Sequence, residues 1–328
     1  MSHTLPTPAF MALTLALGLT PGAAIAQQAA FPAKPVTMVI PLAPGGPVDT
    51  EMQIYLPRLR EAFGQTFIND FRSGAAGAIA GAYVAKAPAD GYTVLVINSA
   101  FTIFPAVQKN LPFSFPGDFA PITLMSKRPL LLMGPPGFAP NTFAEYVAFA
   151  RANPGKINFG TTGVGAGTHL SGAWIHHATK TAATFVHYKG TGPLLPDLIS
   201  GRIDVSGVAV PPGLPHIKSG KLKAIAMMSD RRSPLLPDLA TIAEQGIPGY
   251  DYSSYTGFLA PAATPPAIVN RLHEGFIKVL RTPEVSARLE ADGNTIIGNT
   301  PAQFRQMLLT EVNHWSKLVQ ETGIKAED

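Results

Sequence analysis

Short apolar runs of β-strand type alternate with helix-period stretches along most of this chain, and no other feature limits its fold so strongly. Between residues 36 and 97 the order is strand, helix, strand, helix, strand, with the strands at Val36–Ile40, Phe67–Phe71 and Tyr92–Ile97. The pattern restarts at Leu130 and continues to about residue 228. Such alternation is typical of parallel sheets covered by helices. The sequence therefore predicts an α/β fold with two units, each a mostly parallel sheet flanked by helices.

The last quarter of the chain has a different pattern. One strand-like run, Tyr252–Ala260, is followed by three amphipathic helical stretches at 267–280, 284–291 and 301–322. One strand is too few for a third domain, so we expect this tail to return and pack on the first unit.

The chain is therefore expected to form two lobes with a cleft between them. Two crossings between such lobes permit hinge closure on a ligand. The expected division is residues 27–126 plus 229–328 for lobe 1 and residues 127–228 for lobe 2.

Composition excludes several classes of function. The 328 residues include no cysteine, which excludes thiol catalysis, thiolate metal sites and disulfides. Lysine and arginine exceed the acidic residues by only four, and no basic run is longer than Arg231-Arg232, so no nucleic-acid partner is expected. The histidines lack zinc-ligand spacing and the glycine turns lack a phosphate-binding fingerprint, so we expect neither a metal nor a cofactor.

The first 26 residues resemble a targeting segment. A short apolar stretch, Ala9–Leu19, precedes a Pro-Gly break and then Ala24–Ala26, which fits a signal-peptidase site. The stretch is too short to cross a bilayer as a helix. We predict a secretory signal peptide that is cleaved near Ala26. The alternative is a buried or disordered amino terminus, because the segment before the apolar stretch has no lysine or arginine.

Four glycine-rich turns, each between a strand and a helix, are the main functional signal. In open α/β sheets such turns lie at the carboxyl ends of strands, where ligands bind. Helix amino termini there offer unpaired N–H groups and partial positive charge, which suit an anion. Any one turn is better explained as a tight strand–helix connection, but two in each lobe favour a cleft for a carboxylate or phosphate. The four turns are Pro44–Asp49, Ser73–Gly77, Thr161–Thr168 and Lys189–Pro193.

Several sequence blocks, in this order, resemble a known family. The chain is similar to the substrate-binding component of tripartite tricarboxylate transporters, the Bug (TctC-like) family of periplasmic solute receptors. The resemblance implies a two-lobed periplasmic binding protein of type II-like fold, without catalysis. It also implies a small carboxylate ligand, delivery to membrane permease subunits, and a monomer. The matching blocks are Pro41–Asp49, Gly74–Tyr92, Asn158–Leu170, Tyr188–Asp204 and Gly220–Gly249.

The same resemblance implies a set of ligand-binding residues, by position. Lobe 1 contributes Gly45, Gly46, Asp49, Gly74, Ala75, Ala76, Gly77 and Ser99. Lobe 2 contributes Thr161, Thr162, Gly163, Thr168, His169, Tyr188, Lys189, Gly190 and Asp204.

For three residues near the expected site, a structural role is weighed against contact with the ligand. Asp49 is expected to order its turn rather than to touch an anion, because like charges repel. Phe101 and Phe104 follow the third strand, where they line the pocket for a less polar acid or simply pack in the core.

Two other functions remain open at this stage. The first is a ligand sensor that presents its closed form to a membrane kinase. The second is a periplasmic hydrolase on the same scaffold, for which the only nucleophile–base candidates are His169 with Thr162 or Thr168.

Overall fold

The architecture is organised around one long strand, β4, in a computed structural model that describes residues 1, 3, 31–108 and 110–324. The strands are β1 (Val36–Ile40), β2 (Phe67–Phe71), β3 (Thr93–Ile97), β4 (Phe119–Gly134), β5 (Asn158–Thr161), β6 (Thr184–His187), β7 (Val205–Ala209), β8 (Lys223–Met227), β9 (Ser253–Pro261) and β10 (Thr295–Ile296). The helices are α1 (Pro47–Phe63), α2 (Ala78–Ala85), α3 (Ala100–Val107), α4 (Phe143–Ala152), α5 (Gly167–Thr179), α6 (Thr191–Ser200), α7 (Val210–Lys218), α8 (Pro266–Leu280), α9 (Pro283–Ala291) and α10 (Pro301–Thr322).

Strand β4 belongs to two sheets. The strand order is β2-β1-β3-β9-β4 in the first sheet and β4-β7-β5-β6 in the second, while β8 and β10 also pair with β4. The segment Phe119–Pro129 pairs with β9, and Leu130–Met133 pairs with β7. The strand therefore passes from one sheet to the other between Pro129 and Leu130.

The predicted two-lobed α/β fold is confirmed, with sheets that are more mixed than expected. Strands β1, β2 and β3 are parallel, as are β5, β6 and β7. The ladders that β4 and β9 make with their neighbours are antiparallel. The parallel strands β1 and β3 are almost wholly buried, as expected for strands covered by helices on both faces.

The strand registers point the carboxyl edges of both sheets toward the same junction. In the first sheet Ile97, at the carboxyl end of β3, is paired with Gly257 of β9, whose amino end lies beside Pro129. In the second sheet Ala209, at the carboxyl end of β7, is paired with Leu130. The turns that follow the parallel strands of each lobe consequently lie on the sides that face each other.

The last helix packs on both lobes. Phe304 and Leu308 belong to a core cluster of the first sheet, whereas Trp315 and Leu318 belong to a core cluster of the second. The last helix thus packs on the core of the first sheet and continues onto that of the second.

The prediction missed helices α3 and α7. Helix α3 (AFTIFPAV) has almost no polar side chains, so it carries no helical alternation of polar and apolar residues. Helix α7 (VPPGLPHIK) contains three prolines and a glycine, yet two of the prolines lie in its first turn, where a missing N–H is tolerated.

Two predictions about chain organisation stay predictions. The described residues from Phe31 onward form one unit, so the division into lobes at 126, 127, 228 and 229 is not tested. The expected signal peptide, residues 1–26, lies outside the described residues apart from positions 1 and 3. Among the residues described, no helix is long and apolar enough to cross a membrane.

A buried ion pair ties α1 to the strands near the junction. The side chains of Glu51 on α1 and Arg128 on β4 are almost wholly buried and in direct contact. Thr256 of β9 donates to Glu51 Oε2 at 2.6 Å, and Arg128 donates to the hydroxyl of Thr256 at 3.2 Å. Such a pair depends on keeping both partners, because removal of one leaves an uncompensated charge in the core.

We therefore expect Arg128→Met to lower the free energy of unfolding by about 3–5 kcal/mol. The double variant Glu51→Gln/Arg128→Met should recover part of this loss, since no charge is left buried. Urea unfolding of the two variants and the parent measures the difference. Equal stability of the single and double variants would show that the buried charge of Glu51 is not the cause.

Candidate functional site

The first glycine turn is ordered by its own aspartate. The backbone N–H of Gly45 donates to Asp49 Oδ2 at 2.8 Å, and Gln53 Nε2 donates to Asp49 Oδ1 at 3.1 Å. Gly45 has a φ of 82°, and Gly46 is the extended residue that precedes α1. The carboxylate of Asp49 therefore holds the turn in place, which is the role that sequence reasoning favoured for it.

The second turn packs directly on the segment that follows β1 and on α3. Gly74 and Gly77 have φ values of 129° and 115°, and between them Ala75 has a φ of 44°, a strained value for a residue with a side chain. A methyl group on Gly77 would lie 3.1 Å from Pro41 Cβ and 3.3 Å from the ring of Phe101. Ala76 lies in the single 3₁₀ turn Ala75–Gly77. The first and second turns are thus neighbours.

Phe101 and Phe104 lie beneath this turn in the hydrophobic core. Phe101 is fully buried, and the two ring centroids are 5.0 Å apart. Of the two roles left open by the sequence, the structure therefore places these rings in core packing.

The third turn is preorganised by its own hydroxyl groups. The hydroxyl of Thr168 accepts from the backbone N–H of Thr162 at 2.8 Å and lies 2.8 Å from the hydroxyl of Thr162. The hydroxyl of Thr161 lies 2.7 Å from His187 Nδ1. Gly163 has a φ of 148°. These contacts fix the loop before α5 begins, so a ligand meets an already ordered backbone.

His169 is neutral and has a structural role. Its Nδ1 accepts from the backbone N–H of Gly165 at 3.1 Å, and its ring centroid lies 4.8 Å from that of His187. Burial, together with the neighbouring His187, lowers the pKa of His169 to about 4. The hydroxyls of Thr162 and Thr168 bond to each other rather than to His169, so neither of the pairs that the sequence suggested is formed.

The fourth turn lies beside the third. The backbone N–H of Tyr188 donates to the carbonyl of Thr161 at 2.9 Å, and the phenol of Tyr188 donates to Asp197 at 2.8 Å. Gly190 has a φ of 100° at the start of α6, and the adjacent side chain of Lys189 is exposed. The long side chain of Lys189 thus carries a positive charge at the edge of this turn, where solvent and ligands can reach it.

Tyr252 connects the two facing edges, and sequence reasoning did not identify it. A methyl group on Gly167, at the start of α5, would lie 1.5 Å from the phenol oxygen of Tyr252, so phenol and backbone are in close contact. The side chain of Ser99, which precedes α3, lies near this phenol and opposes the rise of its pKa. Burial raises the pKa of Tyr252 to about 12, so the phenol keeps its proton. A second contact joins the third turn to α3, because a methyl group on Gly165 would lie 3.9 Å from the side chain of Val107 at the end of that helix.

Asp204 is not brought to these turns. It precedes β7, and its carboxylate accepts from the backbone N–H of Asn158 at the amino end of β5, at 2.7 Å. The amino ends of parallel strands lie at the edge opposite the turns that follow them. The other residues expected at the site lie in or beside the turns at the facing edges, apart from the buried ring of Phe101.

Comparison with known proteins gives a consistent result. Residues 54–324 match the model of the tripartite tricarboxylate transporter family receptor, TctC. The protein BugT of Bordetella pertussis is 31% identical over 297 residues, which cover 90% of this chain and 91% of BugT.

Two solved structures with bound acids are similar over most of the chain. One is described as R. palustris Rpa4515 with adipate, with a TM-score of 0.78 and 31% identity over 90% of this chain and all of that one. The other is MatC from Rhodopseudomonas palustris with bound malate, with a TM-score of 0.74 and 29% identity over 88% of this chain and all of that one.

The contact between Gly167 and Tyr252 leads to a prediction. Gly167→Ala should force the phenol of Tyr252 away and destabilise the protein by about 1–3 kcal/mol, the usual cost of overpacking. The matched control is Gly192→Ala, because Gly192 also lies in the first turn of a helix but has no atom within 4 Å of an added methyl. Thermal unfolding should show a lower midpoint for the first variant only; equal midpoints would contradict the packing described here.

Proposed function

Because the chain belongs to the tripartite tricarboxylate transporter receptor family, we propose that it is a periplasmic receptor that binds a small carboxylate and delivers it to membrane permease subunits. The observation that carries the proposal is the placement of four ordered glycine turns on the facing carboxyl edges of two sheets. The family is one of solute receptors, and relatives of this fold are described with adipate and malate.

Backbone amides, rather than charged side chains, are the main anion-binding groups of the proposed site. Helices α1, α5 and α6 begin at the first, third and fourth turns, and the N–H groups of a first helical turn have no partner within the helix. Hydrogen bonds from such groups to a carboxylate are charge-assisted and short. The partial positive charge of each helix amino terminus adds to them.

Side-chain charge contributes less to this site. The negative charge of Asp49 is directed at its own turn, and His169 is neutral above about pH 5. Lys189 is the first residue of the fourth turn, and its side chain is exposed. A receptor of this kind holds its ligand through backbone geometry, so its selectivity depends on the shape of the acid as well as on its charge.

The residues that the sequence suggested as catalytic candidates, His169 with Thr162 or Thr168, make hydrogen bonds that agree with a receptor function. The hydroxyls of Thr162 and Thr168 are satisfied by each other and by the loop, and His169 accepts from Gly165. These residues are thus engaged in holding the third turn.

We further propose that the chain is exported, that its signal peptide is cleaved near Ala26, and that the mature receptor is a monomer in the periplasm.

A thermal-shift screen of the purified protein tests the proposal. Mono-, di- and aromatic carboxylates are compared with their uncharged amides, and calorimetry then gives the Kd of the acids that stabilise the protein. We expect at least one acid to raise the unfolding midpoint and its amide to have no effect, because the amide lacks the charge that helix amino termini recognise. A folded sample that no acid stabilises would overturn the proposal.

The third turn offers a test by substitution. Thr168→Val removes the acceptor of the Thr162 amide while keeping the shape of the side chain, and a donor left without a partner costs about 1–3 kcal/mol. We expect the Kd for the best acid of the screen to rise about tenfold.

The control is Thr310→Val on the exposed face of α10, where the hydroxyl bonds only to the preceding turn of its own helix. Calorimetry gives the Kd of the acid for both variants, and we expect Thr310→Val to bind it as the parent does. Unchanged affinity of Thr168→Val would exclude the third turn from the site.

A further inference from the structure

Tyr252 lies where the chain returns from the second sheet to β9, and only 6% of its surface is exposed. Its backbone N–H donates to the carbonyl of Met228 at 2.7 Å. Its ring makes an edge contact with Trp315 on α10, with the ring centroids 5.9 Å apart. Backbone and ring are therefore both held, and the position of the phenol is fixed.

The phenol oxygen of Tyr252 lies between the facing edges of the two sheets. On one side it is in close contact with Gly167, the first residue of α5, since a methyl group there would lie 1.5 Å from it. On the other side the side chain of Ser99, which precedes α3, lies near it. Gly167 belongs to the third glycine turn and Ser99 follows β3, so the phenol stands between two parts of the proposed site.

The hydroxyl of Tyr252 is a hydrogen-bond donor placed beside other donors. The first N–H groups of α5 have no acceptor within the helix. Burial raises the pKa of Tyr252 to about 12, so the phenol keeps its proton at neutral pH. A phenol that donates to a carboxylate oxygen makes a charge-assisted hydrogen bond. The hydroxyl and the helix N–H groups can therefore bind the same acid group.

Tyr250 shows what a phenol with a purely structural role looks like in the same segment. Its side chain is fully buried, and its hydroxyl donates to the carbonyl of Ser171 on α5 at 3.2 Å. Tyr252 contacts the same helix one turn earlier, at Gly167. The hydroxyl of Tyr250 is thus bonded within the fold, whereas that of Tyr252 is directed at the start of the helix.

The ring of Tyr252 also limits the space at this end of the proposed site. Its atoms Cζ and Cε2 would lie 2.5 Å and 3.1 Å from a methyl group on Gly167, so the ring reaches the backbone of the third turn. An acid bound at this turn meets the phenol on that side, and its chain cannot extend in that direction.

We propose that Tyr252 is a specificity-determining residue of the carboxylate site, whose hydroxyl donates to the bound acid group and whose ring limits the length of acid that fits. This rests on the proposed function of the facing turns. The ligands that the site prefers are then short-chain acids.

The first experiment tests the hydroxyl. The Kd of the best acid from the screen is measured for the parent and for Tyr252→Phe, which keeps the ring. We expect the Kd to rise about tenfold, because a hydrogen bond to a charged group is lost. Tyr250→Phe is the matched control, since it also removes a buried hydroxyl: its unfolding midpoint should fall, because the carbonyl of Ser171 loses a donor, while its Kd stays that of the parent.

Three results would contradict the proposal. Equal Kd values for Tyr252→Phe and the parent would overturn it and leave carboxylate binding intact. Equal losses of affinity in Tyr252→Phe and Tyr250→Phe would also overturn it, because the effect would then come from the packing of α5. A folded parent that binds no acid would overturn the proposed function and this inference together.

The second experiment tests the ring. Linear mono- and dicarboxylic acids of increasing chain length are titrated into the parent and into Tyr252→Leu, whose folding is checked by cooperative unfolding. The parent should favour short acids. In Tyr252→Leu the affinity for the next longer acid, relative to the acid the parent prefers, should rise about tenfold, as expected when a pocket gains room for a methylene group. The same order of preference in both proteins would show that the ring does not limit the ligand.

Discussion

The continuity of β4 is the constraint on which the rest of the structure depends. Backbone hydrogen bonds pair its first eleven residues with β9 and its last residues with β7 and β8. Because one strand is shared, the orientation of each sheet relative to the other follows from a single ladder near Pro129 and Leu130. The ion pair of Glu51 and Arg128 stands immediately before this point and ties the first glycine-turn helix to it.

The proposed site uses this geometry in place of charge. A receptor with a cluster of lysines and arginines would attract any anion, whereas ordered loops admit an acid group only where their N–H groups converge. The side chains that shape the loops are mostly occupied with the loops themselves, as the hydroxyls of Thr161, Thr162 and Thr168 show.

Local sequence patterns predicted the features that depend on neighbouring residues in the chain, such as strand ends and turns. The bounds of β1 and β2 agree with the structure, because turn-forming residues follow each run directly, and the glycine turns lie where the strands end. Helix α3 escaped prediction because a helix buried on most sides has no polar face. The role of Tyr252 escaped for a different reason: only the antiparallel course of β9 brings its amino end to the carboxyl edge of the first sheet.

Asp204 illustrates the same limit. Its position in a block typical of the family implied a site residue, yet the direction of β7 puts it at the far edge, where it satisfies the amide of Asn158. Family-level resemblance transfers loops more safely than it transfers single side chains, because the loop backbone is what the fold reproduces.

Helix α10 has a mechanical consequence. Phe304 and Leu308 anchor one end of a 22-residue rod in the first core, and Trp315 and Leu318 anchor the other end in the second. A packed helix is stiff along its axis, so α10 opposes a motion that pulls the two cores directly apart. Rotation of the lobes about a line close to this helix would keep both sets of contacts, whereas sliding one core along it would break a layer of side-chain packing.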